Sequence, residues 1–390
     1  MNTRRHLLGT LAAAAATPWA TLSMAAGSAT ADTRFVFVVL RGGMDGLAAV
    51  PAIGDPAFAP ARGALAHFSE APLPLAGPFA LHPLLPRLAT MYSRAELLVV
   101  HATGLPYKER SHFDAQQVLE SGGTRPFELG SGWLARALSS APRRAVALDT
   151  AVPLLLRGGP AVDTWAPSML AEPAPDLVAR LMQMYAGDAL LGPALQRAAA
   201  LRAEGDMAAT DRSTMGGGAA GQAVALARKA AEFLRTPGGP QVAVLELGGW
   251  DTHANQAAPQ GALARNLRTL DTMLGALRDD LGATWTRTVI VAATEFGREV
   301  AVNGTQGSDH GSGGAAFVLG GAVAGGRVIA DWPGLAPNDR FEGRDLRITT
   351  DLRSVLRTVL SDHLQVPRAA LDREVLPGSA ALPRVDILRG

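Results

Sequence analysis

Phe35-Val-Phe-Val-Val-Leu40 is an unbroken apolar run that ends on Arg41-Gly42-Gly43-Met44-Asp45-Gly46. A half-exposed strand would alternate apolar and polar positions, so this run predicts a strand buried on both faces, as in a parallel sheet. The same grammar recurs along the chain. Residues 96–101 lead into Ala102-Thr103-Gly104, and 241–247 into Gly248-Gly249-Trp250-Asp251. Residues 288–293 lead into Thr294-Glu295-Phe296-Gly297, and 315–319 into two glycines. Between these runs, helical spacing of apolar positions predicts helices over 84–91, 111–120, 176–203, 221–234, 262–281 and 351–360. Strands alternating with helices predict an α/β fold, with a doubly wound, mainly parallel central sheet flanked by helices. The Ala-rich stretch 161–218, ending in Met215-Gly-Gly-Gly, reads as a helical insertion on that one domain.

The first 31 residues follow a different pattern. Arg4-Arg5 precedes an Ala/Leu-rich stretch, and Ala29-Thr30-Ala31 stands just before Asp32. A positive start, an apolar centre and a small-residue cleavage site predict a secretory signal, and the paired arginines predict the twin-arginine export machinery as its reader. Pro18 and the mild, Ala-dominated hydrophobicity argue against an uncleaved anchor. Cleavage after Ala31 would leave residues 32–390 as a single domain, periplasmic or extracellular, without a stable membrane span.

Composition narrows the chemistry. The formal net charge of +1 comes with scattered arginines, which gives no electrostatic footprint for nucleic acid. Cysteine is absent, so disulfides and thiolate metal sites are excluded, and any metal must be held by His, Asp, Glu or hydroxyl oxygen.

Ligands of open parallel sheets bind at the carboxyl ends of the strands. Residues following the apolar runs are Asp45, Ser111 with His112, Asp251 with His253, Glu295, and His310. Carboxylates, imidazoles and one hydroxyl drawn from distant segments to one edge suit a divalent metal: Zn, Mn, Mg or Ca. Each residue also has a local reading. Asp45 serves equally as a turn residue, and Ser111 is expected to cap the helix it opens, with Asp114 in the first turn. Asp251-Thr-His253 can form a local hydrogen bond, and Glu295 can pair with Arg298. His67, His82 and His363 stand away from strand ends and read as structural or surface residues.

Leu-Arg-Gly-Gly-Met-Asp-Gly-Leu, Arg-Ser-His-Phe-Asp-Ala-Gln, Gly-Gly-Trp-Asp-Thr-His, Thr-Glu-Phe-Gly-Arg and Ser-Asp-His-Gly occur in that order. Together they resemble the signature of domain-of-unknown-function family 1501, itself similar to the alkaline phosphatase and sulfatase superfamily. The resemblance implies a metal-dependent hydrolase of phosphate or sulfate esters, with an anionic small-molecule or glycan ester as substrate. It implies Asp45 as a metal-binding aspartate, Ser111 as the nucleophilic hydroxyl, and Asp251, His253 and His310 as ligands of one metal. Glu295 takes the place of the Asp in the superfamily's Asp-His pair. Phe296 follows it, so the usual second-metal histidine is missing, and His112 or Asp309 are the neighbours available to replace it. Arg298 or Arg110 would hold an anionic oxygen, and His112 or His253 would assist proton transfer. The alternative is a non-catalytic periplasmic binding or assembly protein on the same fold.

Overall fold

In a computed structural model of the chain, described over residues 32–167, 175–205 and 218–389, the long apolar runs are strands. The strands are β1 (Arg34–Leu40), β2 (Leu73–Pro74), β3 (Ala80–Leu81), β4 (Leu97–Gly104), β5 (Ala145–Ala147) and β6 (Asp163–Thr164). They continue with β7 (Val242–Leu247), β8 (Thr288–Ala293), β9 (Gly314–Leu319), β10 (Arg327–Ile329) and β11 (Thr350–Asp351). Among the described residues one nine-stranded sheet runs in the order β10-β4-β9-β8-β1-β7-β5-β6, with β11 on β4. Every pairing in it is parallel except those of β9, which is antiparallel to both β4 and β8.

The helices are α1 (Gly46–Ala49), α2 (Phe58–Arg62), α3 (Pro86–Ser93), α4 (His112–Ser121) and α5 (Trp133–Ser140). They continue with α6 (Pro175–Met184), α7 (Leu191–Gly205), α8 (Gly218–Arg235), α9 (Ala262–Leu281) and α10 (Leu352–Thr358). All seven side chains of β1 are buried, and alternation assigns its six apolar ones to two cores. Val36, Val38 and Leu40 join Leu270 and Leu274 of α9, Phe233 of α8 and Leu88 of α3. Phe35, Phe37 and Val39 join Trp133 of α5, Val118 of α4 and Val355 of α10. Helices on both faces explain why the strand sequences are apolar throughout. The helix expected over 176–203 is two helices, α6 and α7, separated by residues 185–190. The expected leader, residues 1–31, lies outside the described residues, as do parts of the expected insertion. No described helix is long and apolar enough to cross a membrane.

Topology places the chemistry. β1, β4, β7 and β8 run the same way, with Leu40 beside Leu247 and Val39 beside Ala293. Their carboxyl ends therefore share one edge. Because β9 reverses direction against β8, the loop 294–313 leaves that edge and returns to it. Residues just after β8 and just before β9 are thus neighbours.

Two histidines inside the fold give it an acid sensitivity. His101 is fully buried and stacked on Phe79; its Nε2–H donates to Val50 O at 2.9 Å, and its Nδ1 accepts from Ala102 N at 2.8 Å. Burial pushes its pKa down to about 4, as it does for His363, whose Nε2 faces Arg34 O. Both folded values lie below the unfolded value of about 6.5. The neutral rings therefore stabilise the fold fully above that pH, and the contribution is lost as pH falls through 6.5 toward 4. Each shift corresponds to a loss on the order of 3 kcal/mol. Urea midpoints measured with a chelator present should fall between pH 6.5 and 5, and His101→Gln should flatten that fall. A midpoint constant over this window would contradict the assignment.

Candidate metal centre

Three loops and one helix start build the site. After β1, Gly42 and Gly43 adopt φ of +118° and +68°, which admits the backbone against its neighbours. A Cβ on Gly42 would stand 2.7 Å from Asp251 N, so the β1 and β7 loops touch directly. After β7, Trp250 is buried and its indole N–H donates to Leu247 O at 2.9 Å, which fixes the turn that presents Asp251 and His253. After β8 come Glu295, Phe296 and Arg298, and the returning strand of that loop brings His310 opposite Arg298. His112 is the first residue of α4.

These elements converge on Asp251 Oδ1. It lies 3.4 Å from His112 Nε2, 2.9 Å from His253 Nε2 and 3.1 Å from His310 Nε2. The imidazoles also face one another, with His310 Nε2 at 3.1 Å from His112 Nε2 and 3.0 Å from His253 Nε2. Among the described residues, His112, Asp251 and His310 offer ligand atoms that all lie within 4.8 Å of one another.

The outer atom of each ring is tied to oxygen. His112 Nδ1 meets Glu295 Oε1 at 2.9 Å, His253 Nδ1 meets Asp309 Oδ1 at 3.0 Å, and His310 Nδ1 meets Arg110 O at 3.0 Å. A carbonyl only accepts, so His310 Nδ1 carries its hydrogen, and the carboxylates favour the same tautomer in the other two rings. Three Nε2 lone pairs and a carboxylate oxygen then crowd one point with no hydrogen between the rings. Arg298 already donates to Asp251 Oδ1 at 2.7 Å and approaches His253 Nε2 at 3.5 Å, and the remaining lone pairs suit a metal ion. Four ligands about 2.0–2.1 Å from a tetrahedral metal would stand about 3.3 Å apart. Within the Asp251–His310–His112 set and the Asp251–His310–His253 set, the separations of 2.9–3.4 Å match that spacing. Rings that donate their second N–H to carboxylate or carbonyl are also the usual surroundings of a metal-binding histidine.

Charges within the cluster follow from these contacts. Burial opposes ionisation of Asp251, but the hydrogen bond and charge of Arg298 outweigh it and hold the carboxyl well below the usual range. The Glu295 bond raises His112 above its ordinary value, against the effect of burial. Burial, then the Arg298 charge, lowers His310, with Asp251 pulling the other way.

The sequence-derived candidates divide into groups. Asp251, His253 and His310 come together, and His112 joins the same cluster instead of building a separate one. Glu295 is buried behind His112, where Oε1 also accepts from Gly42 N and Gln116 Nε2. Asp45 is buried elsewhere: its carboxylate accepts from Arg62 at 2.5 Å, Gln256 at 3.0 Å, Ser308 at 3.3 Å and the α1 amide of Ala48 at 3.0 Å. Ser111 occupies the N-cap position of α4 with extended backbone, but its hydroxyl makes no capping bond, contrary to expectation, and meets Tyr107.

Arg298, read from sequence as a holder of an anionic oxygen, has a fully buried side chain. It donates to Gly42 O and Gly43 O at 2.7 Å, Trp250 O at 2.9 Å, Ser308 O at 3.2 Å and Asp251 Oδ1 at 2.7 Å. Arg110 is engaged by Glu342 and Asp345. Phe296 packs on the His112 and His310 rings, with centroids 4.7 and 4.9 Å away. The support from the Arg110 carbonyl, which sits in a left-handed conformation at φ +65°, carries no sequence signal.

A family profile described as "Protein of unknown function (DUF1501)" matches residues 95–375, well over half of the chain. Similar solved structures include the phosphonate monoester hydrolase of Agrobacterium radiobacter. It is 12% identical, with 86% of this chain and 74% of that one covered and a TM-score of 0.44. The C-terminal periplasmic domain of EptC from Escherichia coli, in complex with Zn, is 11% identical, with 89% and 87% covered and a TM-score of 0.39. The lipoteichoic acid synthase LtaP from Listeria monocytogenes is 10% identical, with 78% and 68% covered and a TM-score of 0.33. No curated protein sequence matches the chain.

Proposed function

The chain belongs to the DUF1501 family of proteins of unknown function, and from that premise we propose that it is an exported metal-dependent hydrolase of phosphate or sulfate esters. The observation that carries this reading is the convergence of three imidazole Nε2 atoms on Asp251 Oδ1, each ring tied to oxygen through Nδ1. His112, Asp251, His253 and His310 would hold one divalent cation. A donor set of three nitrogens and one oxygen suits zinc or another first-row metal better than Mg or Ca, which favour oxygen. When bound, such a cation stabilises negative charge and lowers the pKa of hydroxyl groups that reach it.

The residues around it divide the remaining work. Ser111, directly before His112 at the start of α4, is assigned as the nucleophile on its motif. The unpaired N–H groups of that ten-residue helix favour an anion beside it. Glu295, Asp309 and the Arg110 carbonyl orient the three rings. Arg298 holds Asp251 and the β1 and β7 loops together. Asp45, bound to Arg62 and Gln256, supports the loop beneath. The paired arginines of the leader support export in the folded state, with metal taken up before crossing.

The test loads the purified chain singly with Zn, Mn, Mg or Ca and measures hydrolysis of 4-nitrophenyl phosphate and sulfate. Ser111→Ala should keep its metal and lose turnover on the order of a thousandfold or more. Full activity in that variant removes the covalent mechanism. A fully loaded wild-type chain that turns over neither ester supports the binding-protein reading instead.

A further inference from the structure

A cavity of about 300 Å³ opens beside the loop that follows His253, and its walls include none of the four residues of the metal centre. That volume is at the small end of the range for ligand pockets. Leu65, Phe68 and Leu263 supply apolar wall, while His82, Gln256 and Arg268 supply polar groups. The Phe68 and His82 rings meet edge to face at 5.5 Å.

The polar groups are unevenly satisfied. Gln256 is only 3% exposed, and its Nε2 donates to Asp45 Oδ2 at 3.0 Å, yet its buried Oε1 has no partner. A buried acceptor left without a donor costs about 1–3 kcal/mol. His82 Nδ1 accepts from Leu84 N at 3.1 Å, so in the neutral ring the hydrogen sits on Nε2, and that N–H is a donor. Burial, with the nearby Arg268 charge, keeps this ring neutral, its pKa lowered to about 4. Arg268 donates one N–H to Pro259 O at 3.1 Å, and its other guanidinium N–H groups have no described partner.

We propose that this cavity is a binding site for a small amphiphilic carboxylate, with an apolar or aromatic body against the apolar walls and an anionic group held by Arg268 and His82. Apolar walls take the body, and the guanidinium and imidazole N–H groups match a carboxylate. Gln256 lies three residues beyond His253, so occupancy would also brace the segment that carries that ring.

4-Hydroxybenzoate, an aromatic ring bearing a carboxylate, serves as the probe. Calorimetric titration of the full chain, with EDTA present so that the carboxylate cannot report a bound metal, should give one site. Phenol, which lacks the carboxylate, should bind at least tenfold more weakly to the wild-type chain. Arg268→Leu should weaken 4-hydroxybenzoate by a similar factor, and Leu263→Trp, which fills the cavity, should abolish binding. If the tryptophan variant does not fold, Arg268→Leu and the phenol comparison still decide. No binding to the wild-type chain at millimolar probe, or undiminished binding to Arg268→Leu, overturns the proposal. Neither result bears on the metal centre.

Discussion

His310→Ala should strip the chain of most of its divalent metal while leaving it folded. His310 Nε2 stands within 3.0–3.1 Å of Asp251 Oδ1, His112 Nε2 and His253 Nε2, so its ring contributes to the cluster from the centre. Structural zinc sites with four ligands bind with apparent free energies of about 10–16 kcal/mol. An even share makes one ligand worth on the order of 3 kcal/mol, or more than a hundredfold in affinity. Competition with a chromophoric chelator should show that loss. Phe296, packed on both the His112 and His310 rings, would still cover the site after truncation, so the melting temperature of the metal-free variant should match that of the metal-free parent. Unchanged metal affinity would mean that the three rings converge for another reason.

Arg298→Met should be the most destabilising single change near the site, by about 3–5 kcal/mol. The guanidinium satisfies four backbone carbonyls, on Gly42, Gly43, Trp250 and Ser308, and the Asp251 carboxylate besides. Methionine matches the length and removes every donor. Buried acceptors from three loops then lose their partner at once. Lysine should rescue little, because a point charge cannot replace a planar fork that reaches several acceptors. Denaturant unfolding of the metal-free proteins measures the cost directly. A loss below about 1 kcal/mol, within the range of an exposed ion pair, would show that Arg298 is not the hub described.

The sheet was legible because its main strands are apolar on both faces, and residues 35–40, 288–293 and 315–319 read as strands on that ground alone. Direction was not legible. The run at 315–319 looks like its parallel neighbours, yet β9 reverses, since both of its faces are buried whichever way it runs. Short strands such as Ala145–Ala147 and Arg327–Ile329 offer too few residues for a pattern. Helix Trp133–Ser140 follows a glycine-rich stretch and was not read from the sequence.

At the site, the strand-end rule found the residues but not their partners. Asp45 and Asp251 both follow strands, and only pairing in space separates them. Arg62, seventeen residues further along, takes Asp45 into a buried ion pair. Arg298 holds Asp251 among the imidazoles. His112 was legible as a residue and not as part of this cluster, because its place depends on how α4 meets the loop after β8. Asp309 shows its role only through the His253 Nδ1 contact.

The central claim is that this chain carries one cation held by three imidazoles and a carboxylate. Metal analysis of the purified wild-type chain, with X-ray absorption at the edge of the metal found, tests it most directly. The predicted result is close to one first-row metal per chain, in a shell of nitrogen and oxygen at about 2.0–2.2 Å with imidazole scattering. A chain that stays metal-free after exposure to Zn and to Mn, or whose bound metal shows no imidazole in its shell, would contradict the account.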